Sequence, residues 1–255
     1  SPPGVRTVAV TTAAEMAAAL ATAFRQALDR GGPRGPVVHN LAVALDEVGR
    51  FDQAETIFAE AAGRLADHPM IYLNWGVLAL RRDDPQVAAA RLERARELFG
   101  ATPPPLWYHA ATLASANQEH LERALGTANE GVVAYPNHPV LKNNLAVLLE
   151  ASGEIASAEE LLRQVLADDP REPQPYKNLG DILYRTGRYD EAAEQYERAA
   201  KLNPTLGDDL FFKLGNLAFR RRDGERARQC WERAVHLNPS HQLARANLEL
   251  LVVPA

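Results

Sequence analysis

A single cysteine in 255 residues cannot close an internal disulfide. That excludes a disulfide-framed secreted domain and a cysteine-based zinc site. No apolar run approaches the ~18 residues that a membrane-spanning helix needs, so membrane insertion is not expected. Basic residues are outnumbered, 28 against 33, and the formal charge is −5, so nucleic acid and anionic membrane surfaces are not expected partners. Glycine (16) and proline (17) are close to average usage, which excludes collagen-like and low-complexity chains. Neither GxGxxG nor GxxxxGK[ST] occurs, so there is no phosphate loop. The seven histidines include no HExxH motif and no i, i+4 pair, the spacings of a helical zinc site. No metal and no cofactor is expected.

What is present is a globular composition, 46 % hydrophobic and 24 % charged, with enough apolar material for a sizeable core. Residues 1–11 read as a linker, Ser1-Pro2-Pro3-Gly4, followed by a β-prone stretch from Val5 to Val10. No basic start with an apolar core follows, so no signal peptide is visible and a cytoplasmic location is favoured. A leader already removed would leave the compartment open.

The dominant signal is internal repetition. Proline recurs at Pro136, Pro170, Pro204 and Pro239, and alanine at Ala158, Ala192 and Ala227 keeps the same period of about 34 residues. This sets six repeats at 35–68, 69–102, 105–138, 139–172, 173–206 and 208–241. The twentieth position is alanine throughout (Ala54, Ala88, Ala124, Ala158, Ala192, Ala227), and the eighth is small: Ala42, Gly76, Thr112, Ala146, Gly180, Gly215. The fifth repeat carries Tyr176, Leu179, Gly180, Ala192, Tyr196 and Pro204; the sixth carries Phe211, Leu214, Gly215, Ala227, Trp231 and Pro239. This pattern resembles the tetratricopeptide repeat family over residues 35–241.

The physics of each repeat agrees with the resemblance. Apolar residues fall at helical spacing in two segments per repeat. In the fifth, helices are predicted from about Pro175 to Arg185 and from Asp190 to Leu202. Gly187 breaks the first, and Asn203-Pro204 stops the second, because proline disfavours a helical residue before it. Small residues at positions eight and twenty let paired helices approach; large ones at seven and twenty-four fill the space beside them. One pair cannot bury its own apolar face, so the expected fold is all-α, a right-handed solenoid of stacked pairs. Residues 12–34 read as an N-terminal helix, a degenerate half-repeat opened by a capping box at Thr12-Ala13-Ala14-Glu15. Residues 242–255 read as a C-terminal capping helix and tail. The third repeat is the weakest, with Ala111 and Ala128 where large residues are usual and Pro103-Pro104-Pro105 before it. It is either a tolerated degenerate repeat or a hinge between two sub-arrays.

No catalytic constellation emerges. Cys230 lies on a second helix beside Trp231 with no base in evidence, so a packed, inert thiol is expected. Arg220-Arg221-Arg222, with Arg226 and Arg228, is the only dense basic run. A solvated turn is favoured there over an acidic or phosphorylated ligand, because Asp223 and Glu225 offset it.

The resemblance implies a concave face lined by first helices, where the family binds extended peptides. Two features fall on the positions that face it. The first is an asparagine ladder at position six, Asn40, Asn74, Asn144, Asn178 and Asn247, broken at Ala110 and Lys213. Such amides can hold a peptide backbone, or can bond a neighbouring helix, and both readings stay open. The second is a polarity gradient. Met70, Leu73, Val77, Leu80, Leu106, Leu113, Val140 and Val147 occupy repeats two to four; Gln174, Lys177, Asp181, Arg185, Asp209, Asn216 and Arg220 occupy the last two. The candidate contact set is the asparagine ladder with Leu73, Val77, Lys177, Arg185 and Asn216. Some family members clamp a terminal carboxylate with Lys and Asn across successive repeats. Here Lys177 is in place, but Asp181 and Lys213 replace the asparagines, which disfavours that mode. The expected function is a non-enzymatic adaptor or scaffold that binds a peptide or protein partner in the groove. The alternatives are a regulatory or targeting module of a larger enzyme, whose catalytic domain lies outside this chain, and a self-associating scaffold.

Overall fold

The computed structural model describes residues 49–117 and 120–252, together with Ala19, Thr22 and Gln26 in helical conformation. Asn40, the N-terminal segment and most of the predicted N-terminal helix lie outside the described residues. Among the described residues the elements are helices: α1 (Phe51–Arg64), α2 (Pro69–Arg81), α3 (Pro85–Phe99), α4 (Pro105–Asn117), α5 (Leu121–Ala134), α6 (Pro139–Ser152), α7 (Ile155–Asp168), α8 (Pro173–Arg185), α9 (Tyr189–Leu202), α10 (Asp208–Arg220), α11 (Gly224–Leu237) and α12 (Gln242–Val252). The chain is an all-α helical-repeat solenoid. It divides into two compact units at Ala134 and Tyr135.

Local chemistry sets the helix ends. Proline opens α2, α3, α6 and α8 at the first turn, where its missing N–H has no helical partner to lose. Asp84 and Asp223 accept from the backbone N–H of Val87 (3.1 Å) and Arg226 (3.0 Å) and cap α3 and α11. Asp169, Asn203 and Asn238 each precede a proline, and each is extended, with φ between −134° and −140°, so α7, α9 and α11 stop there. Five of the described turns inside pairs have one left-handed residue, two positions before the second helix. Gly49, Gly153 and Gly187 fill that slot, but so do Asp83 (φ 57°) and Arg222 (φ 62°).

Within each pair the close approach is steric. The position-twenty alanines Ala54, Ala88, Ala124, Ala158, Ala192 and Ala227 are all fully buried. In three of the described pairs position eight lies directly under the large residue at position twenty-four. A Cβ on Gly76 would sit 2.7 Å from the Leu92 side chain, and one on Gly180 would sit 2.7 Å from the Tyr196 ring. Trp231 covers Gly215 in the same way. In the N-terminal unit, Ala54, Ile57, Phe58, Ala61, Ile71 and Leu78 form one apolar cluster. In the C-terminal unit a larger cluster runs from Ala146 through Leu162, Leu179, Leu183 and Tyr196 to Leu214. Ala244, Leu248 and Leu251 of α12 pack with Ala218, Ala227, Trp231 and Ala234 at its end.

Candidate functional site

The first helices of the C-terminal unit, α6, α8, α10 and α12, are joined side chain to side chain along one face. Asn178 on α8 donates through Nδ2 to Oδ1 of Asn143 on α6 (2.9 Å) and accepts from Gln174 (3.0 Å). Arg185 reaches back to Glu150 on α6 at 2.8 Å. Between α8 and α10, Lys177 binds Asp181 (3.2 Å) and Asp209 (2.9 Å), and Lys213 binds Asp181 (2.5 Å) and Asp209 (3.5 Å). The Tyr196 hydroxyl donates to the same Asp181 carboxylate at 2.6 Å. Asn216 on α10 accepts through Oδ1 from Trp231 Nε1 (3.1 Å) and from Nδ2 of Asn247 on α12 (3.2 Å).

Burial tunes these charges in different directions. Glu150 is half-buried, and the loss of water raises its carboxyl above the ordinary value, against the pull of Arg185. Asp209 meets the same burial, but its bonds to Lys177 and the charge of Lys213 outweigh it and hold it below the ordinary value. Burial also opposes the Lys177 charge, yet Asp209 and Asp181 raise it above the usual range. Carbon-13 titration of the carboxyls is therefore expected to find the Glu150 midpoint above 4.5 and the Asp209 midpoint below 3.8. The linked stabilities have opposite signs. The Asp209 contribution is complete above its ordinary value and is lost as pH falls through the lower folded one. The Glu150 contribution is complete below its ordinary value and is lost as pH rises through the higher folded one. Midpoints of both groups at their ordinary values would mean that both are solvated.

Aliphatic side chains flank this polar band. Val140 and Val147, about two turns apart on α6, are 43 % and 41 % exposed, and Leu243 and Leu250 on α12 are 63 % and 73 % exposed.

The tetratricopeptide repeat family pattern matches residues 39–103, 143–206 and 212–249, more than half of the chain. The chain belongs to the tetratricopeptide repeat family. Among curated relatives, it is 25 % identical over 165 residues to protein O-mannosyl-transferase TMTC3 of Homo sapiens, covering 64 % of this chain and 18 % of that one. The chain spans about a fifth of the length of this relative and of two other curated ones. Among solved structures it resembles one determined for the APC/C hetero-tetramer Cut9–Hcn1, with a TM-score of 0.77 at 12 % identity over 93 % of this chain and 46 % of that one. It also resembles Pseudomonas aeruginosa pilF, with a TM-score of 0.68 at 17 % identity over 88 % and 97 % of the two chains. These structural likenesses concern the fold. Tetratricopeptide repeat proteins generally mediate protein–protein interactions, and their relatives are mostly non-catalytic adaptors.

In this tetratricopeptide array the predicted contact residues fall into three groups. Lys177, Asn178, Arg185, Asn216 and Asn247 belong to the linked face described above, and Asn144 lies half-buried on the same helix as Asn143. Val77 is half-buried on α2 and Asn74 is buried there. Leu73 is corrected: it is 0 % exposed, covered on every side, and presents no surface to a ligand. Beyond the last two repeats, where the predicted gradient ends, α12 adds the exposed Leu243 and Leu250 to the face. Leu243 and Leu250 were legible by carrying the 34-residue frame past His241, where they take positions two and nine. Cys230 is buried, which pushes its thiol up from the usual value. Among the described residues, no group of His, Cys, Asp or Glu is placed to hold a metal ion, and no helix is long and apolar enough to cross a membrane.

Proposed function

We propose that this chain is a non-enzymatic adaptor whose first-helix face in the C-terminal unit holds an extended segment of a partner protein. The observation that carries the reading is the order of chemistry along that face: exposed valines on α6, a charged and amide band on α8 and α10, exposed leucines on α12. Exposed aliphatic pairs of this kind mark interaction surfaces. The matching ligand has aliphatic residues towards both ends and polar ones between them. An asparagine amide offers two N–H groups and two lone pairs, so Asn178, 8 % exposed, keeps one of each beyond its two internal bonds for a peptide backbone. Asn216 has its oxygen engaged twice and its N–H groups left to donate. Lys177 and Arg185 are held by their own carboxylates, so a ligand charge must compete for them, which sets direction rather than bulk affinity.

The test is an extended-peptide library against the full chain and the Asn144→Ala, Asn178→Ala double variant, with folding checked by circular dichroism. Saturable binding that the double variant weakens about tenfold, a difference of 1.4 kcal/mol, supports the reading. Binding indifferent to both asparagines and to Leu250→Lys removes it. A mass that grows with concentration in light scattering, and that Leu250→Lys abolishes, assigns the face to a second copy.

The lengths of the curated relatives favour a second reading, a targeting or regulatory module within a larger enzyme. The flanking gene sequence decides it: a short uninterrupted reading frame rejects it, and a continuous catalytic domain establishes it.

A further inference from the structure

The arginine run at the end of α10 is not one solvated patch. Arg221 pairs with Asp190 at 2.6 Å, Arg226 reaches Glu197 at 3.5 Å and Arg228 binds Glu225 at 2.6 Å. Arg220 and Arg222 instead line a cleft of about 700 Å³ with Tyr184, Tyr189, Asn216 and Phe219. Neither forms an ion pair among the described residues. The Arg220 guanidinium lies 4.2 Å over the Tyr189 ring, and Tyr184 meets that ring edge-on at 5.6 Å. Phe219 is 56 % exposed beside them. Arg222 occupies the left-handed slot that Gly49, Gly153 and Gly187 fill in other turns. A side chain is disfavoured there, so the turn itself does not call for an arginine.

We propose that this cleft is a second binding site, for an acidic peptide segment that carries an aromatic side chain beside its carboxylates. A guanidinium is a planar fork of donors matched to carboxylate oxygens, and stacking on Tyr189 holds that of Arg220 in a fixed plane with its N–H edges available. The tyrosine and phenylalanine walls receive a ring by edge or offset stacking. The volume lies in the range of ligand pockets and leaves room for an aromatic side chain with its neighbours. The exposed rim suits a side chain presented by a chain rather than an enclosed metabolite. A nucleic-acid strand needs a track of free cations, and the neighbouring arginines are already neutralised in a chain of net charge −5. The cleft does not depend on the asparagine face: only Asn216 borders both.

The probe is a fluorescein-labelled nine-residue peptide with a central tryptophan flanked by glutamates, titrated against the full chain by fluorescence anisotropy. The expected result is saturable binding, weakened about tenfold when lysines replace the glutamates or alanine replaces the tryptophan, a difference of 1.4 kcal/mol. Arg222→Gly should weaken binding about fivefold while the melting temperature holds or rises, because glycine suits that slot. Arg220→Met should act in the same direction. Arg221→Ala and the Asn144→Ala, Asn178→Ala variant should bind like the wild type, which separates this site from the asparagine face. Three outcomes overturn the proposal. One is no saturation up to roughly 1 mM. Another is binding that ignores both Arg220→Met and Arg222→Gly. The last is an oligouridylate that occupies the same arginines more tightly, which would make the cleft an RNA site.

Discussion

Replacing Tyr196 with alanine is expected to destabilise the C-terminal unit by about 4 kcal/mol. Tyr196 heads the fully buried side chains by volume among the described residues. Its ring lies over Gly180, so close that a single Cβ there would come within 2.7 Å, and α8 and α9 are therefore already at contact. The surrounding cluster, with Leu179, Ile182, Leu183, Ala192 and Ala199, is built on helix backbones that cannot close over a ring-sized hole. The same substitution removes a hydroxyl from Asp181. Burial, followed by the Asp181 charge, raises the phenol far above the usual range, so it remains a donor at any working pH. Tyr196→Phe separates the two losses. It keeps the ring and gives up one bond to a charged acceptor, with an expected cost of about 1.5 kcal/mol. For a chain of this size the alanine variant should melt about 10 °C lower and the phenylalanine variant about 4 °C lower by circular dichroism. Neighbouring repeats share the interface, so amide exchange should quicken in α8 and α9 first. Equal losses for the two variants would mean that the hydroxyl, not the ring, carries the stability.

The contact between Tyr196 and Gly180 also shows why the fold was legible. Stacked helix pairs repeat one steric solution, so small residues at positions eight and twenty and a large one at twenty-four must return at a fixed interval. The prolines mark helix stops for an equally local reason: the residue before each is forced into extended geometry. The candidate face was legible in part, because the same frame assigns Asn144, Lys177, Asn178, Arg185 and Asn247 to first helices. Pairing was not legible. Nothing in a 34-residue period says that Lys177 divides itself between Asp181 and Asp209, or that the Asn178 amide turns to Asn143. Those choices depend on rotamers and on distances between adjacent helices. Leu73 shows the converse: position five reads as groove, but exposure depends on what covers a residue, and Leu73 is covered. In the arginine run, the frame registered charge density and missed that Asp190 takes up Arg221 while Arg220 and Arg222 line an aromatic cleft.

Asp181→Asn is expected to cost about 2 kcal/mol, between the small worth of exposed ion pairs and the larger cost of breaking a buried one. The intermediate value follows from solvent access, since the side chains of Asp181, Lys177 and Lys213 are 20 %, 15 % and 27 % exposed. Asparagine keeps the volume and an acceptor for the Tyr196 hydroxyl, so the loss isolates the charge. Lys177 keeps Asp209 at 2.9 Å, whereas Lys213 falls back on a 3.5 Å contact and loses the most. Chemical denaturation at rising salt should narrow the gap between variant and wild type, because the site is open enough for screening. A double-mutant cycle with Lys213→Met should return a coupling of about 1 kcal/mol. The substitution also leaves two lysines facing one carboxylate, so the band gains a net positive charge. An acidic peptide should then bind this face more tightly than it binds the wild type, and salt should remove the gain. A variant as stable as the wild type, with no coupling to Lys213, would overturn the account of the band. The lysines would then already be exchanging their carboxylates for water. They would be available to a ligand in the native chain, and the direction of a bound segment would be set by the aliphatic pairs on α6 and α12 alone.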